Sequence, residues 1–183
     1  MSEVQKLYKY VSLATKEHRA RICRLIVRGE IFYAHPNLLN DPVDSEFAVT
    51  FDEASRTKNL RAKKHELVRF VKAWFKDEEK NSLCVLSLSE KNDNALMWSH
   101  YGDCHKGICL ELTVPLDNGL HQVQYSKERP LVYFNDFDEA TRDPDRFNRS
   151  IIRALMTKSD DWAYEAEWRC IEIGGSGIRQ LAG

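Results

Sequence analysis

The run Leu83-Cys84-Val85-Leu86-Ser87-Leu88-Ser89 holds no charged side chain and is nearly continuously apolar. As a strand it has no face that belongs in water, so it must lie inside a sheet with neighbours on both sides. The neighbours are short. Leu7-Tyr8-Lys9-Tyr10-Val11 alternates aromatic and polar at period two, and residues 30–34, 107–112, 122–125 and 130–134 read as further strands. A late strand carries Glu165, Glu167 and Arg169 on one face and Trp168 and Cys170 on the other. Between the strands, apolar residues recur at three and four through residues 18–28, ending at Gly29, and through residues 147–157. The interleaving lacks the even spacing of a doubly wound sheet, and neither G-x-G-x-x-G nor G-x-x-x-x-G-K-[ST] occurs. The prediction is an α+β fold with a mixed, largely antiparallel sheet and flanking helices, formed by residues 1–183 as a single domain.

With 183 residues, 43% of them hydrophobic, the chain has material for a core. Its formal net charge of -1 supplies no global field for nucleic acid or an anionic membrane. The opening Met1-Ser2-Glu3-Val4-Gln5-Lys6 lacks an apolar signal region, and no apolar run approaches the roughly 20 residues of a membrane span. The expectation is a cytoplasmic chain with no membrane partner. Five cysteines without a C-x-x-C pair do not make a disulfide framework, and Cys23, Cys84 and Cys170 are expected to be reduced core thiols.

Residues 37–44 have the turn chemistry of Asn40, Asp41 and Pro42 and predict a structured loop. In residues 52–80, Leu60, Leu67, Val68, Val71, Trp74 and Phe75 form a helical stripe. Arg61, Lys63, Lys64, His65, Arg69 and Lys72 lie opposite it, as a solvated face or a phosphate-tracking one. The stretch Gly174-Gly175-Ser176-Gly177 reads as a flexible tail.

Chemically capable side chains concentrate in Asn94-Ala95-Leu96-Met97-Trp98-Ser99-His100-Tyr101-Gly102-Asp103-Cys104-His105-Lys106-Gly107-Ile108-Cys109-Leu110-Glu111. Helical spacing over Leu96, Met97 and Tyr101, followed by alternation from Gly107, places this cluster on a turn between a short helix and a strand. His100, Cys104, His105 and Cys109 are donors that zinc accepts, at a spacing unlike the common zinc patterns. Cys104 could serve as a nucleophile with a histidine base, whereas Cys109 falls inside an apolar strand. His100, Asp103 and His105 could act as the acid, base and ligand of a nuclease.

A different reading joins distant segments. Glu165 and Glu167, at i and i+2 on a strand, share a face roughly 7 Å apart. Such a pair can stabilise a ribosyl cation and accept a hydrogen bond from a ribose hydroxyl, while aromatic faces hold a flat cationic ring. The plainer alternative is that these carboxylates form surface ion pairs with Arg169 or Arg153.

Several ordered motifs carry a resemblance. They are L-Y-K-Y, R-G-E-I-F-Y-A-H-P-N-L-L-N-D-P-V-D, L-S-L-S-E-K-N-D-N-A-L-M-W-S-H-Y-G-D-C-H-K-G-I-C-L-E, V-Q-Y-S-K-E-R-P and W-x-Y-E-x-E-W-R. Together, over about residues 7–173, they resemble a bacterial family of domains of unknown function often met beside phage-defence genes. Where that family usually has a small residue, this chain has Cys104, and the resemblance leads to the expectation of a C-terminal segment that the sequence stops short of. The order of L-Y-K-Y, a helix ending in Gly, a strand at I-F-Y and a late E-x-E is also similar to the ADP-ribosyltransferase fold. That similarity implies NAD as substrate, with Glu167 as catalytic carboxylate and Glu165 beside it. Lys9 or Tyr10 would lie near the phosphates or ribose, and Tyr33 and Tyr101 would stack on nicotinamide. Two features depart from it: no Ser-Thr-Ser follows the second strand, and Lys9 stands where Arg or His is expected.

The expected function is an NAD-consuming ADP-ribosyltransferase-like enzyme or NAD glycohydrolase of a defence or toxin system, acting on a protein or nucleic-acid acceptor and needing no metal. Its candidate catalytic residues are Glu167, Glu165 and His100. Its candidate ligand-binding residues are Tyr8, Lys9, Tyr10, Tyr33, Asn40, Asp41, Trp98, Tyr101 and His105. The alternatives are a non-catalytic sensor or binding module of a defence system, whose polar network only fixes the fold, and a nuclease.

Overall fold

The structure, a computed structural model, describes residues 4–41, 48–50, 69, 83–115, 119–133, 144–174 and 176–181. The apolar run becomes β4 (Leu83–Ser89), and it is central as its composition demands. β1 (Val4–Val11) lies on one side of it and β10 (Glu167–Ile173) on the other. β5 (Ile108–Pro115) and β6 (Leu120–Gln122) complete a five-stranded sheet in the order β5-β1-β4-β10-β6, every pairing antiparallel. In this register Glu111, Tyr8, Ser89 and Glu167 lie opposite one another across four strands. One face of the sheet buries Leu7, Leu86, Leu88, Val114, Leu120 and Cys170 in the main core.

The helix predicted to end at Gly29 is α1 (Lys16–Arg28). Thr15 caps it by accepting the His18 N–H, and Gly29 closes it at φ 65°. Helical spacing put Ala20, Ile22, Cys23, Ile26 and Val27 on its apolar face, and the buried face differs. Ile22 is buried and Leu25 partly so, while Cys23 is exposed and Ile26 and Val27 are 67% and 78% exposed. The helix turns His18, Arg21, Ile22 and Leu25 inward, where they line a cavity. Cys84 and Cys170 are buried thiols as expected, whereas Cys23 is not.

β2 (Glu30–Tyr33) follows α1 directly and packs Ile31 and Tyr33 into the core. Its partner is β11 (Gly177–Gln180), a strand that the sequence reading did not foresee and that starts at the last residue of the stretch expected to be flexible. A 3-10 turn at Pro36–Leu38 begins the loop over residues 37–44, of which residues 42–44 lie outside the described residues. The helical stripe and basic patch of residues 52–80 also lie outside them, apart from Arg69.

α2 (Ala95–His100) is capped by Asn94, whose Oδ1 accepts the Leu96 and Met97 N–H groups. The turn after it runs left-handed at three successive residues, Asp103, Cys104 and His105 (φ 53°, 51° and 65°). Two of their amides cap the helix, Cys104 N–H donating to Ser99 O and His105 N–H to Trp98 O. The strand after the turn is then pressed against β1. A Cβ on Gly107 would sit 2.4 Å from Val11 O, so glycine is needed there.

The strand expected at residues 122–125 is two, β6 and β7 (Gln124–Ser126), which join different sheets. The break is at Val123, whose N–H donates to Glu167 O, while the next, of Gln124, goes to Met156 O. β3 (Ala48–Thr50) pairs in parallel with β8 (Leu131–Tyr133). α3 (Pro144–Leu155) matches the predicted late helix and leads into β9 (Thr157–Ser159), which pairs in parallel with β7 and was not foreseen. The fold is α+β with a mainly antiparallel sheet. No helix among the described residues is long and apolar enough to cross a membrane.

Candidate functional site

Glu165 is not on the late strand. Residues 160–165 form a 3-10 turn, Ala166 adopts a left-handed conformation (φ 43°), and β10 begins at Glu167. The end of β4 fixes this junction: Ser89 Oγ donates to Glu165 O at 2.6 Å and Glu90 N–H to Ala166 O at 3.1 Å. Strand alternation therefore does not bring the two carboxylates together. A third residue does, because Lys158 Nζ on β9 lies 2.7 Å from Glu165 Oε2 and 3.4 Å from Glu167 Oε2.

Around that ammonium group a buried network is assembled. Arg169 is 1% exposed; its Nε and Nη2 donate to Glu167 Oε1 and Oε2 at 2.7 and 3.0 Å, and its Nη1 donates to Leu155 O. The Arg169 ion pair anticipated as a surface contact is thus internal. The Tyr101 hydroxyl donates to Glu165 Oε1 at 2.7 Å, and Tyr125 OH accepts the Glu167 N–H at 2.8 Å.

Burial sets the two acids apart. It pushes the Glu165 carboxyl up, against the pull of Lys158 and Tyr101. Burial also opposes ionisation of Glu167, but the Arg169 guanidinium and the Lys158 ammonium outweigh it and hold that acid at about 2. Lys9 is lowered by burial to about 8, although the Glu167 charge favours its cationic form and the Arg21 charge opposes it.

These groups line a cavity of about 530 Å³. β1 and β4 pair at Tyr8 opposite Ser89 and not along their full length, and beyond that point Lys9 Nζ donates to the Ser87 carbonyl at 2.8 Å. α1, β2 and α2 supply the remaining walls.

Of the residues expected at a site, Tyr8, Lys9, Tyr10, Asn40, His100, Tyr101, Glu165 and Glu167 line this cavity. Tyr8 and Tyr10 share a strand face but not an environment. The Tyr8 hydroxyl donates to Glu111 at the surface, while Tyr10 is buried, donates to Lys91 O and packs edge-on against Trp98 at 5.3 Å. Tyr33, expected against nicotinamide, lies in the hydrophobic core and is not among the cavity's lining residues. Trp98, Asp41 and His105 are also outside the lining; Trp98 Nε1 is engaged by Asn92 O, Asp41 is buried and His105 is exposed on the left-handed turn. His100 stands beside Trp162 and Tyr164, with ring centroids 5.7 and 6.5 Å away. Among the described residues, no three His, Cys, Asp or Glu side chains gather as a metal site. Lys158, His18, Arg21 and Ser87 were missed, since an isolated lysine or serine in a short strand carries no local signal.

The order of motifs from α2 to β10 now has a spatial meaning, for side chains from those segments meet around the carboxylate pair. Residues 97–170 match the family model described as Protein of unknown function (DUF2971). No curated protein and no solved structure matches the chain. The DUF2971 match, narrower than the resemblance read over residues 7–173, includes Tyr101, Lys158, Glu165, Glu167 and Arg169. It leaves β1, α1 and the cationic side chains they bring to the cavity outside the matched stretch.

Proposed function

We propose that this chain is an NAD-consuming enzyme, an ADP-ribosyltransferase-like protein or NAD glycohydrolase, that works in the cavity between β1, β4 and β10. The observation that carries this reading is the convergence of Glu165, Glu167 and Tyr101 on a cavity large enough for a nucleotide. The early tyrosine-lysine-tyrosine strand, a central strand bearing Ser87 and Ser89, and the strand opened by the late glutamate lie side by side. This is the order in which the ADP-ribosyltransferase resemblance would place them around NAD.

The chemistry needs two unlike acids. Heterolysis of the bond between ribose C1′ and the nicotinamide nitrogen sends the bonding electrons to nicotinamide, which leaves neutral, and a positive charge develops on the ribose. Glu167, kept ionised and held in place by Arg169, supplies a fixed negative charge for that cation. The acceptor, water or a nucleophile of another molecule, adds at C1′ and gives up a proton. Glu165, with its raised affinity for protons, is the group suited to take it. Nicotinamide release from NAD, followed with wild type and Glu167→Gln, tests the proposal. Release by the wild type and its loss in a folded variant are expected, and equal silence of both would count against an enzyme.

One observation favours a second reading. The chain of contacts from Tyr101 through Glu165, Lys158 and Glu167 to Arg169 is closed and buried, as in a network that only fixes the fold of a binding module. In that case ligand binding would survive Glu167→Gln in proportion to folding, with no turnover in either protein.

A further inference from the structure

The cavity carries more positive charge than its chemistry uses. Four basic side chains, Lys9, Arg21, Lys158 and Arg169, line it against two carboxylates, Glu165 and Glu167. Lys158 and Arg169 are engaged by those carboxylates. The Glu167 charge reaches Lys9 but is already held by Arg169 and Lys158, and the acid paired with Arg21 lies outside the cavity lining. The Lys9 amine rests on the Ser87 carbonyl, and the ion-pair partner of Arg21, Glu17, has a side chain 71% exposed on the outer surface of α1. Two cations that feel one another in a half-apolar cavity are an unfavourable arrangement that a bound anion relieves.

Two further features point to the same place. His18, one turn before Arg21 on α1, lines the cavity, and its Nδ1 is buried with no hydrogen-bond partner among the described residues. Arg21 is already held in position, its guanidinium carbon 3.5 Å above the Phe32 ring, so little freedom is lost when its N–H groups engage a ligand. Beside these groups the wall turns apolar at Ile22, Leu25, Leu39 and Met97, a surface suited to a flat ring.

We infer that Lys9, His18 and Arg21 form an oxyanion subsite that takes the diphosphate of a nucleotide ligand, at the α1 wall of the cavity. The assignment deepens the function proposed above and rests on that reading for which nucleotide is held, but not for the binding of diphosphate. It also sets the polarity of the ligand, with the phosphates toward α1 and the scissile end toward Glu165 and Glu167.

Calorimetric titration of the full chain with inorganic pyrophosphate, ADP and adenosine tests the subsite without any turnover. Wild type is expected to bind pyrophosphate and ADP, and Arg21→Gln to bind both at least tenfold more weakly, with adenosine affinity unchanged. Lys9→Met should behave like Arg21→Gln, whereas Glu17→Gln, which removes only the outer partner, should bind as wild type does. Unchanged pyrophosphate and ADP affinity in folded Arg21→Gln and Lys9→Met, or no binding to wild type at millimolar concentration, overturns the subsite. The two proposals fail separately. Pyrophosphate binding without nicotinamide release leaves the subsite standing and removes the enzyme, while NAD turnover with an unaltered KM in Arg21→Gln does the reverse.

Discussion

Lys158→Met isolates the one cation that joins the two carboxylates. The lysine is 5% exposed, and the change leaves Arg169 on Glu167 but strips Glu165 of its only ion-pair partner among the described residues. Removing one member of a buried pair costs about 3–5 kcal/mol when the remaining charge is uncompensated. Glu165 can avoid part of that cost by binding a proton, and this makes the loss depend on pH. Its folded pKa already lies above the ordinary value of 4.5, and loss of Lys158, which lowers it, raises it further. A carboxyl whose folded pKa is raised costs nothing below the unfolded pKa, where both states are protonated. It costs about 1.4 kcal/mol per pH unit above that, until the folded group itself ionises. The loss grows as pH rises above the ordinary carboxyl range and levels off once the folded carboxyl ionises, near the lower end of the pair-breaking range because Tyr101 still donates to the carboxyl group. Urea unfolding of wild type and variant at pH 5 and pH 8 measures it. The variant should lose about 2–3 kcal/mol at pH 8 and under about 1 kcal/mol at pH 5, since part of the wild type's own stability has the same pH dependence. Equal stabilities at pH 8, or a loss of the same size at both pH values, would refute the argument that Lys158 compensates a buried carboxylate.

Glu167 should show the opposite dependence, because its folded pKa is depressed to about 2: it stabilises the fold above pH 4.5, and that contribution, about 3 kcal/mol, fades as pH falls from 4.5 toward 2. Acid unfolding of Glu167→Gln should therefore be shallower than that of wild type over this window, and parallel acid limbs would show that the carboxylate carries no such stability. Cys104 is held at φ 51° on an exposed turn, so Cys104→Gly should raise stability by about 1 kcal/mol in a thermal melt, and a lower Tm would mean that the left-handed turn is not strained. Diphosphate affinity should fall as pH rises through about 8, where Lys9 between Glu167 and Arg21 loses its charge, and Lys9→Met should flatten the profile; a profile unaltered by that substitution would place the titrating group elsewhere.

Where local chemistry left a single solution, the sequence was readable. Gly29 ends α1 because a left-handed residue was required there, Leu83–Ser89 is central because neither of its faces tolerates water, and the polar cluster around His100 lies on the turn that its glycines mark. Helical spacing on α1 pointed to a stripe of Ala20, Ile22, Cys23, Ile26 and Val27, however, and packing turned inward the face that carries His18, Arg21 and Ile22. The E-x-E pair shows the limit more sharply. Period-two spacing placed both carboxylates on one strand face, and they do meet, but through a left-handed Ala166 and an ammonium from β9 that the spacing does not contain.

From the sequence alone came the fold class, the central strand and the side chains able to do chemistry, because each depends on propensity and hydrophobic pattern over a few neighbouring residues. The tertiary structure decided which of those side chains share a cavity, which acid stays ionised and where unneutralised positive charge accumulates. Those outcomes depend on burial and on distances of a few ångströms between segments far apart in the chain, and no local pattern encodes them.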